Sequence, residues 1–157
     1  MSVRIVQLGS PRYREEGIRF GTVRRPPRGV KKSDYSKQNF FDVWLPNLSP
    51  SEELLRKKLV RQAENKSRQV GMKFEVSVEL SQAHSAAGSV RSTTGWHAFE
   101  QRFSAELRQP DKSHLLDALA ALSHNTNFSV GCYCNDEQRC HRSILRAELK
   151  KHGALIK

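Results

Sequence analysis

The sequence predicts a single layered α/β domain over residues 1–157, with helices packed on a small, mostly parallel sheet. Three observations carry that prediction. A chain of 157 residues has the usual size of one domain and can bury most of the apolar surface that its unfolded form exposes. Its composition, 37% hydrophobic and 27% charged with seven Phe and two Trp, is that of a globular chain rather than a disordered one. Short apolar runs of strand length alternate with stretches whose apolar residues recur every three or four positions, and neither an internal repeat nor a second-domain linker interrupts them.

Taken in order, Val3 to Leu8 reads as a first strand ended by the turn Gly9-Ser10-Pro11, and Ile18 to Val23 reads as a second. Arg24-Arg25-Pro26-Pro27-Arg28-Gly29 cannot continue that strand, since its prolines lack ladder donors, and makes a stiff basic loop. Phe40 to Leu45, with Trp44 inside it, is a short strand or extended segment before Pro46 and Asn47. Ser49-Pro50-Ser51-Glu52 is a capping box that predicts a helix starting at Ser49 and running to about Gln69, with Leu54, Leu55 and Leu59 on its apolar stripe.

Phe74, Val76, Val78 and Leu80 alternate with polar residues, the period of a half-buried strand, and a polar loop from Ser81 to Gly95 follows. Trp96, Phe99, Phe103 and Leu107 mark the core face of a helix. Asp111 is placed to cap the next helix, whose Leu115, Leu116, Leu119 and Leu122 form a buried stripe. Phe128 to Cys134 is a compact apolar strand, and Ile144, Leu145 and Leu149 belong to a final helix beginning near Cys140.

That last strand, loop and helix hold the chemistry. The run Cys132 to Arg142 delivers thiols and polar groups from a strand end to a helix start, the place where open α/β sheets commonly bind ligands. Free backbone N–H groups and the helix dipole favour an anion there, with Arg139 and Arg142 reinforcing them, and the same field favours the thiolate of Cys140. The first reading is therefore an anion or nucleotide site, a phosphate-bearing small molecule held around Cys140, His141 and Arg142. A second is a zinc site of Cys132, Cys134, Cys140 and His141, whose ligand types fit although the spacing is not that of paired knuckles; no resident metal or other cofactor is expected. In a third the cysteines are small buried hydrophobes and His141 bonds locally. A cysteine-phosphatase loop does not fit, because four residues separate Cys134 from Arg139 and the sixth residue after Cys132 is Gln138.

Pro27-Arg28-Gly29-Val30-Lys31-Lys32, the stretch Asp42 to Ser51, Phe99 to Leu107 and the triplet Cys140-His141-Arg142 together make the chain resemble the domain of unknown function 488 family, in particular its YeaO-like branch. The resemblance implies a compact α/β fold whose loops carry the Pro-Arg-Gly and Cys-His-Arg elements, and it assigns no reaction. Arg28, Asp42, Trp44, Cys140, His141 and Arg142 are the residues that match the family's polar and aromatic motif positions. The chain has Pro26 where the family tends to have tryptophan, and residues 64–95 form a longer, family-variable insertion.

Two classes of function follow. In an enzyme, Cys140 or His141 would be essential, Arg28 and Arg142 would hold an anionic substrate, Asp42 would orient a base, and Trp44 would wall the site. Arg28, in its stiff loop, is expected to share one pocket with Arg142. In a nucleic-acid-binding module, binding would track the basic residues of 12–37 and 56–73, and the formal charge of +11 makes nucleic acid a fair partner. No recognised nucleic-acid-reading motif supports the latter. Neither a signal peptide nor a membrane-spanning run is present, and three cysteines clustered between Cys132 and Cys140 are an odd set, so a reducing cytoplasm is the expected location.

Overall fold

A computed structural model describes residues 1–57 and 93–157. Its strands are β1 (Val3–Gln7), β2 (Ile18–Gly21), β3 (Val43–Trp44) and β4 (Phe128–Cys132). All pair in parallel, in the order β1-β4-β2-β3. The helices are α1, described over residues 52–57, α2 (Thr93–Leu107), α3 (Pro110–Ser123) and α4 (His141–Lys151). The α/β class with a small parallel sheet is what the sequence predicts.

β4 takes the interior of the sheet because its whole run Phe128-Ser129-Val130-Gly131-Cys132 is buried, as a parallel strand between two neighbours must be. Its two faces differ. Phe128 and Val130 join Val3 in one core with Phe99, Phe103 and Leu107 of α2, Leu116 and Leu119 of α3, and Leu145 and Leu149 of α4. The stripes read from periodicity thus do face the sheet. On the opposite side, Ser129 and Gly131 leave room for loops. A Cβ on Gly131 would come within 2.5 Å of the Leu8 side chain, so only glycine lets Leu8 pack against the strand there.

That opposite side buries a polar anchor. Glu16 and Arg19 are both almost fully buried and paired, with Arg19 Nη2 donating to Glu16 Oε2 at 2.8 Å. Arg19 Nη1 also donates to the carbonyls of Ser10 (2.9 Å) and Asn39 (2.6 Å), and the Ser129 hydroxyl donates to Glu16. One guanidinium therefore ties the loops after β1 and before β3 to the sheet. Burial pushes the Glu16 carboxyl up, but hydrogen bonds from Arg19, Ser129 and the Tyr13 N–H outweigh it and hold the group below its usual range.

Several boundaries move relative to the expectations. The first two strands each end earlier, at Gln7 and Gly21, and only Val43 and Trp44 of the run 40–45 pair as strand. Phe40 instead closes a turn through its N–H to the Tyr35 carbonyl (2.8 Å), while Phe41 is buried. The helix expected at Ser49 begins at residue 52. Residues Pro46–Leu48 form a 3-10 turn that absorbs Ser49, whose hydroxyl donates to the Pro46 carbonyl at 2.7 Å. Ser51 is the capping residue, its Oγ accepting from Leu54 N–H at 3.2 Å, and its own N–H is satisfied by Glu106 of α2 at 2.9 Å.

Likewise α3 starts at Pro110, with Gln109 in the cap position and Asp111 in the first turn, where its charge meets the helix dipole rather than capping. α2 begins at Thr93, so the last residues of the loop expected over 81–95 are helical despite the weak helix propensity of Thr and Gly. The strand expected over 74–80, the end of the first helix near Gln69 and most of the 64–95 insertion lie outside the described residues. Among the described residues no helix is long and apolar enough to cross a membrane.

Candidate functional site

The site is built where β4 ends. Cys132, the last residue of that strand, packs with Leu8, Val23, Phe41 and Cys140 rather than in the main helical core; five residues of loop after Cys134 bring Cys140 to the N-cap position of α4. Cys132 and Cys140 are buried, and Cys134 is half-buried. All three are free thiols. The Cys132 thiol donates to Cys134 Sγ at 3.7 Å, and Cys140 Sγ lies 3.8 Å from His141 Nδ1. One ligating atom each of Cys132, Cys140 and His141 falls within 4.8 Å of the others.

His141 is held rigidly. Its Nε2 donates to the Thr22 carbonyl at 2.7 Å, which fixes the proton on Nε2 in the neutral ring and turns the Nδ1 lone pair toward Cys140. Phe103 of α2 packs its ring edge to face with the imidazole at 5.7 Å. Thr22 is buried directly after β2, and its own N–H and hydroxyl both donate to the Gly131 carbonyl. The β2–β4 pairing therefore positions the imidazole through one backbone oxygen.

Arg142 follows in the first turn of α4 and is 2% exposed. Its Nη2 donates to the Cys134 carbonyl at 2.6 Å, whereas its Nε is buried without a hydrogen-bond partner among the described residues, as is the hydroxyl of Tyr133. A buried guanidinium with a donor to spare beside a helix N-terminus is an environment that favours negative charge.

The thiols titrate as a group. Hydrogen bonds from Cys132 and then Cys134 lower the Cys140 thiol far below its usual range; burial opposes them and His141 adds to them. Cys132 is correspondingly pushed up by its bonds to Cys134 and Cys140 and by burial. Cys140 is thus the most acidic thiol of the cluster. Burial, above all, also pushes the Tyr133 hydroxyl up to about 12.

Around the thiols stand Leu8, Val23 and Phe41, with Tyr35, Phe40 and Tyr133 packed at the margin, so the cluster is walled by apolar and aromatic groups. The loop above it is pinned at several points. Gln7 Nε2 donates to Asn135 Oδ1 at 2.6 Å, and Arg146 reaches back from α4 to Glu137, Nη2 to Oε1, at 2.6 Å.

The other residues singled out in the sequence occupy different settings. Asp42 accepts a two-pronged ion pair from Arg12 (2.8 and 2.9 Å), the Arg19 N–H (2.8 Å) and the Ser36 hydroxyl. Burial raises its carboxyl, but these bonds from Arg12, Ser36 and Arg19 prevail and bring it to about 2. Those bonds define a brace between loops. Trp44 is 45% exposed on the edge strand β3 and donates its indole N–H to the Val23 carbonyl at 2.7 Å. Arg28 is exposed and forms no hydrogen bond or ion pair among the described residues, while Arg142 is buried, so the two arginines meet different environments. Arg139 is exposed on the loop before Cys140.

Several basic residues of 12–37 are bound internally: Arg12 to Asp42, Arg19 to Glu16, Arg24 to the carbonyls of Ser49 and Pro50, and Arg25 to Glu52 at 3.2 Å. Of the basic residues in 56–73, only Arg56 and Lys57 are described. Sequence reading did not find Thr22 or Gln7, because each acts across the sheet. The one signal for Thr22 is its position just beyond an apolar strand, which only the strand order turns into a partner for His141.

Fold and site together define a class: a parallel α/β domain with a Cys-His-Arg triplet at the helix start that follows its central strand. Comparison with family models makes the membership specific. The model for DUF488-N3a, described as the active DUF488-N3 subclade, matches residues 3–89 and 77–153, and the chain belongs to the DUF488 family. No curated protein and no solved structure matches the chain.

Proposed function

We propose that this protein is a thiol-dependent enzyme acting on an anionic, phosphate-bearing small molecule at the carboxyl end of β4, with Cys140 as nucleophile. The observation that carries the reading is the alignment of Cys140 Sγ, His141 Nδ1 and the Thr22 carbonyl bound to His141 Nε2. This is the relation of nucleophile, base and orienting group on which activated thiols depend. His141 exchanges the proton of Cys140, and Thr22 keeps the ring in the orientation that permits it. Arg142, with its uncommitted Nε, and the free N–H groups of α4 hold the anion. The matched subclade's description as active agrees with a chemical role.

Cys140 has no exposed surface in the closed arrangement, so substrate reaches it when the loop 133–139 opens. The reading is tested by iodoacetamide labelling of the full chain, located by mass spectrometry. Labelling at Cys140 near neutral pH, slowed by inorganic phosphate or a nucleoside monophosphate in wild type but not in Arg142→Ala, is the expected result. Labelling indifferent to phosphate and nucleotide, or absent from Cys140, would refute the reading.

A further inference from the structure

The thiol cluster also has the dimensions of a coordination sphere. We infer that Cys132, Cys140 and His141, completed by Cys134, bind a thiophilic cation of the Zn2+ type. Zinc bonds of about 2.3 Å to sulfur and about 2.0–2.1 Å to nitrogen place the ligands of a tetrahedron about 3.8 Å apart for two sulfurs and about 3.5 Å apart for sulfur and nitrogen. Cys132 Sγ and Cys134 Sγ are separated by 3.7 Å, and Cys140 Sγ and His141 Nδ1 by 3.8 Å. Cys132, Cys140 and His141 meet within 4.8 Å, so these three close round an ion with side-chain shifts of the order of an ångström; Cys134 lies outside that group and reaches the fourth position from its contact with Cys132.

Two further features fit a metal. A ligating histidine usually donates its second ring N–H to a carbonyl or carboxylate, and His141 Nε2 already does so to Thr22, leaving Nδ1 free to coordinate. Three thiolates around a dication leave one negative charge. The buried Arg142 guanidinium, bonded to the Cys134 carbonyl, and the N-terminus of α4 stand beside the cluster to offset it. Soft sulfur ligands and a nearly dry setting select Zn2+ over Mg2+ or Ca2+, which prefer oxygen.

Binding releases the thiol protons to solvent and occupies Cys140 Sγ and His141 Nδ1. The assignment of the metal stands on ligand geometry alone. Its consequence, that bound zinc silences the nucleophile, rests on the thiol-enzyme reading above.

The full chain, reduced and freed of metal, is titrated with Co2+ as a spectroscopic substitute. We expect one equivalent to produce thiolate-to-cobalt charge-transfer absorption with tetrahedral ligand-field bands, and Zn2+ to displace it. His141→Gln retains a side-chain N–H for the Thr22 carbonyl but loses the ligand, and should weaken Co2+ binding at least about tenfold, the scale on which metal-site mutations act. Cys134→Ser should remove about a third of the charge-transfer intensity, one thiolate of three. Circular dichroism checks that both variants fold.

Absence of the charge-transfer band in wild type would overturn the inference, as would full-strength binding by folded His141→Gln. Iodoacetamide labelling of Cys140 with and without Zn2+ separates the two readings. If cobalt binds but metal-free Cys140 is not labelled, the enzyme reading fails and the metal site stands. If Cys140 is labelled but cobalt does not bind, the metal inference fails alone. Labelling at Cys140 undiminished by bound Zn2+ would overturn the silencing.

Discussion

On the proposed reading, opening of the loop 133–139 exposes Cys140, and the bonds that pin the loop set its energetics. Glu137→Ala removes the ion pair with Arg146, whose side chains are 36% and 40% exposed. Pairs this exposed are screened by solvent and contribute about 0.5 kcal/mol. Gln7→Ala removes the 2.6 Å bond to Asn135, an exposed neutral hydrogen bond worth about 0.5–1 kcal/mol net. If opening is fast relative to alkylation, the labelling rate follows the population of the open form. At about 1.4 kcal/mol per tenfold, Glu137→Ala should accelerate iodoacetamide labelling of Cys140 about twofold, and the double variant roughly five- to tenfold. The two bonds lie on one loop, so their effects need not add, and the double variant measures that coupling. Each rate is read by mass spectrometry under native conditions, with global stability measured in urea. An unaccelerated double variant would refute loop gating, as would wild-type Cys140 reacting as fast as a thiol on the unfolded chain.

Two further predictions concern what holds the scaffold around the site. Ser51→Ala should cost about 1 kcal/mol in urea unfolding and Ser51→Gly only a few tenths, because Ser51 rather than Ser49 caps the first helix; equal and negligible losses would place the cap elsewhere. The Asp42 carboxyl sits at about 2 in the folded chain, below its ordinary value of 3.8. Such a depressed group contributes stability that is fully present above its unfolded value and lost as pH falls from about 4 to about 2. The raw shift corresponds to about 2.5 kcal/mol. Screening at a side chain that is 26% exposed reduces it to about 1–2 kcal/mol. Asp42→Asn should remove that part of the acid sensitivity, whereas an unchanged pH profile between wild type and variant would show that the brace contributes nothing.

The parts legible in the sequence are those that local pattern determines. Phe128 to Cys134 could be read as a strand because a compact, mostly apolar run of that length has few other places to go; the strand ends at Cys132, and only the pairing with β1 and β2 shows that it is interior. Trp96, Phe99, Phe103 and Leu107 declared a helical face by spacing alone, and Phe99, Phe103 and Leu107 are all buried in the main core. The capping box failed by two residues for a reason that spacing could not show. Both serines have the right chemistry, and a 3-10 turn at Pro46–Leu48 turns the first hydroxyl back on the Pro46 carbonyl. Nor could composition announce that Arg19 and Glu16, charged residues of types almost always exposed, would be buried together; burial became tolerable because Arg19 donates to carbonyls of two loops and Glu16 accepts from Ser129 of β4.

The candidate site shows the same division between local and distant information. Cys140, His141 and Arg142 are contiguous, and their placement at a helix start after an apolar strand was readable from the residues themselves. What His141 does with its second nitrogen was not, because Thr22 lies 119 positions away and becomes a partner only when β2 pairs with β4. That single backbone contact sets which nitrogen of His141 faces the thiol. Were His141 Nε2 free to face Cys140, the ring could present either tautomer and either orientation to the thiol. With Nε2 committed to a carbonyl, Nδ1 alone faces Cys140, whether as the base that takes its proton or as the ligand that shares a metal with it. A buried carbonyl at the end of β2 thus confers on the triplet a directionality that its sequence does not contain.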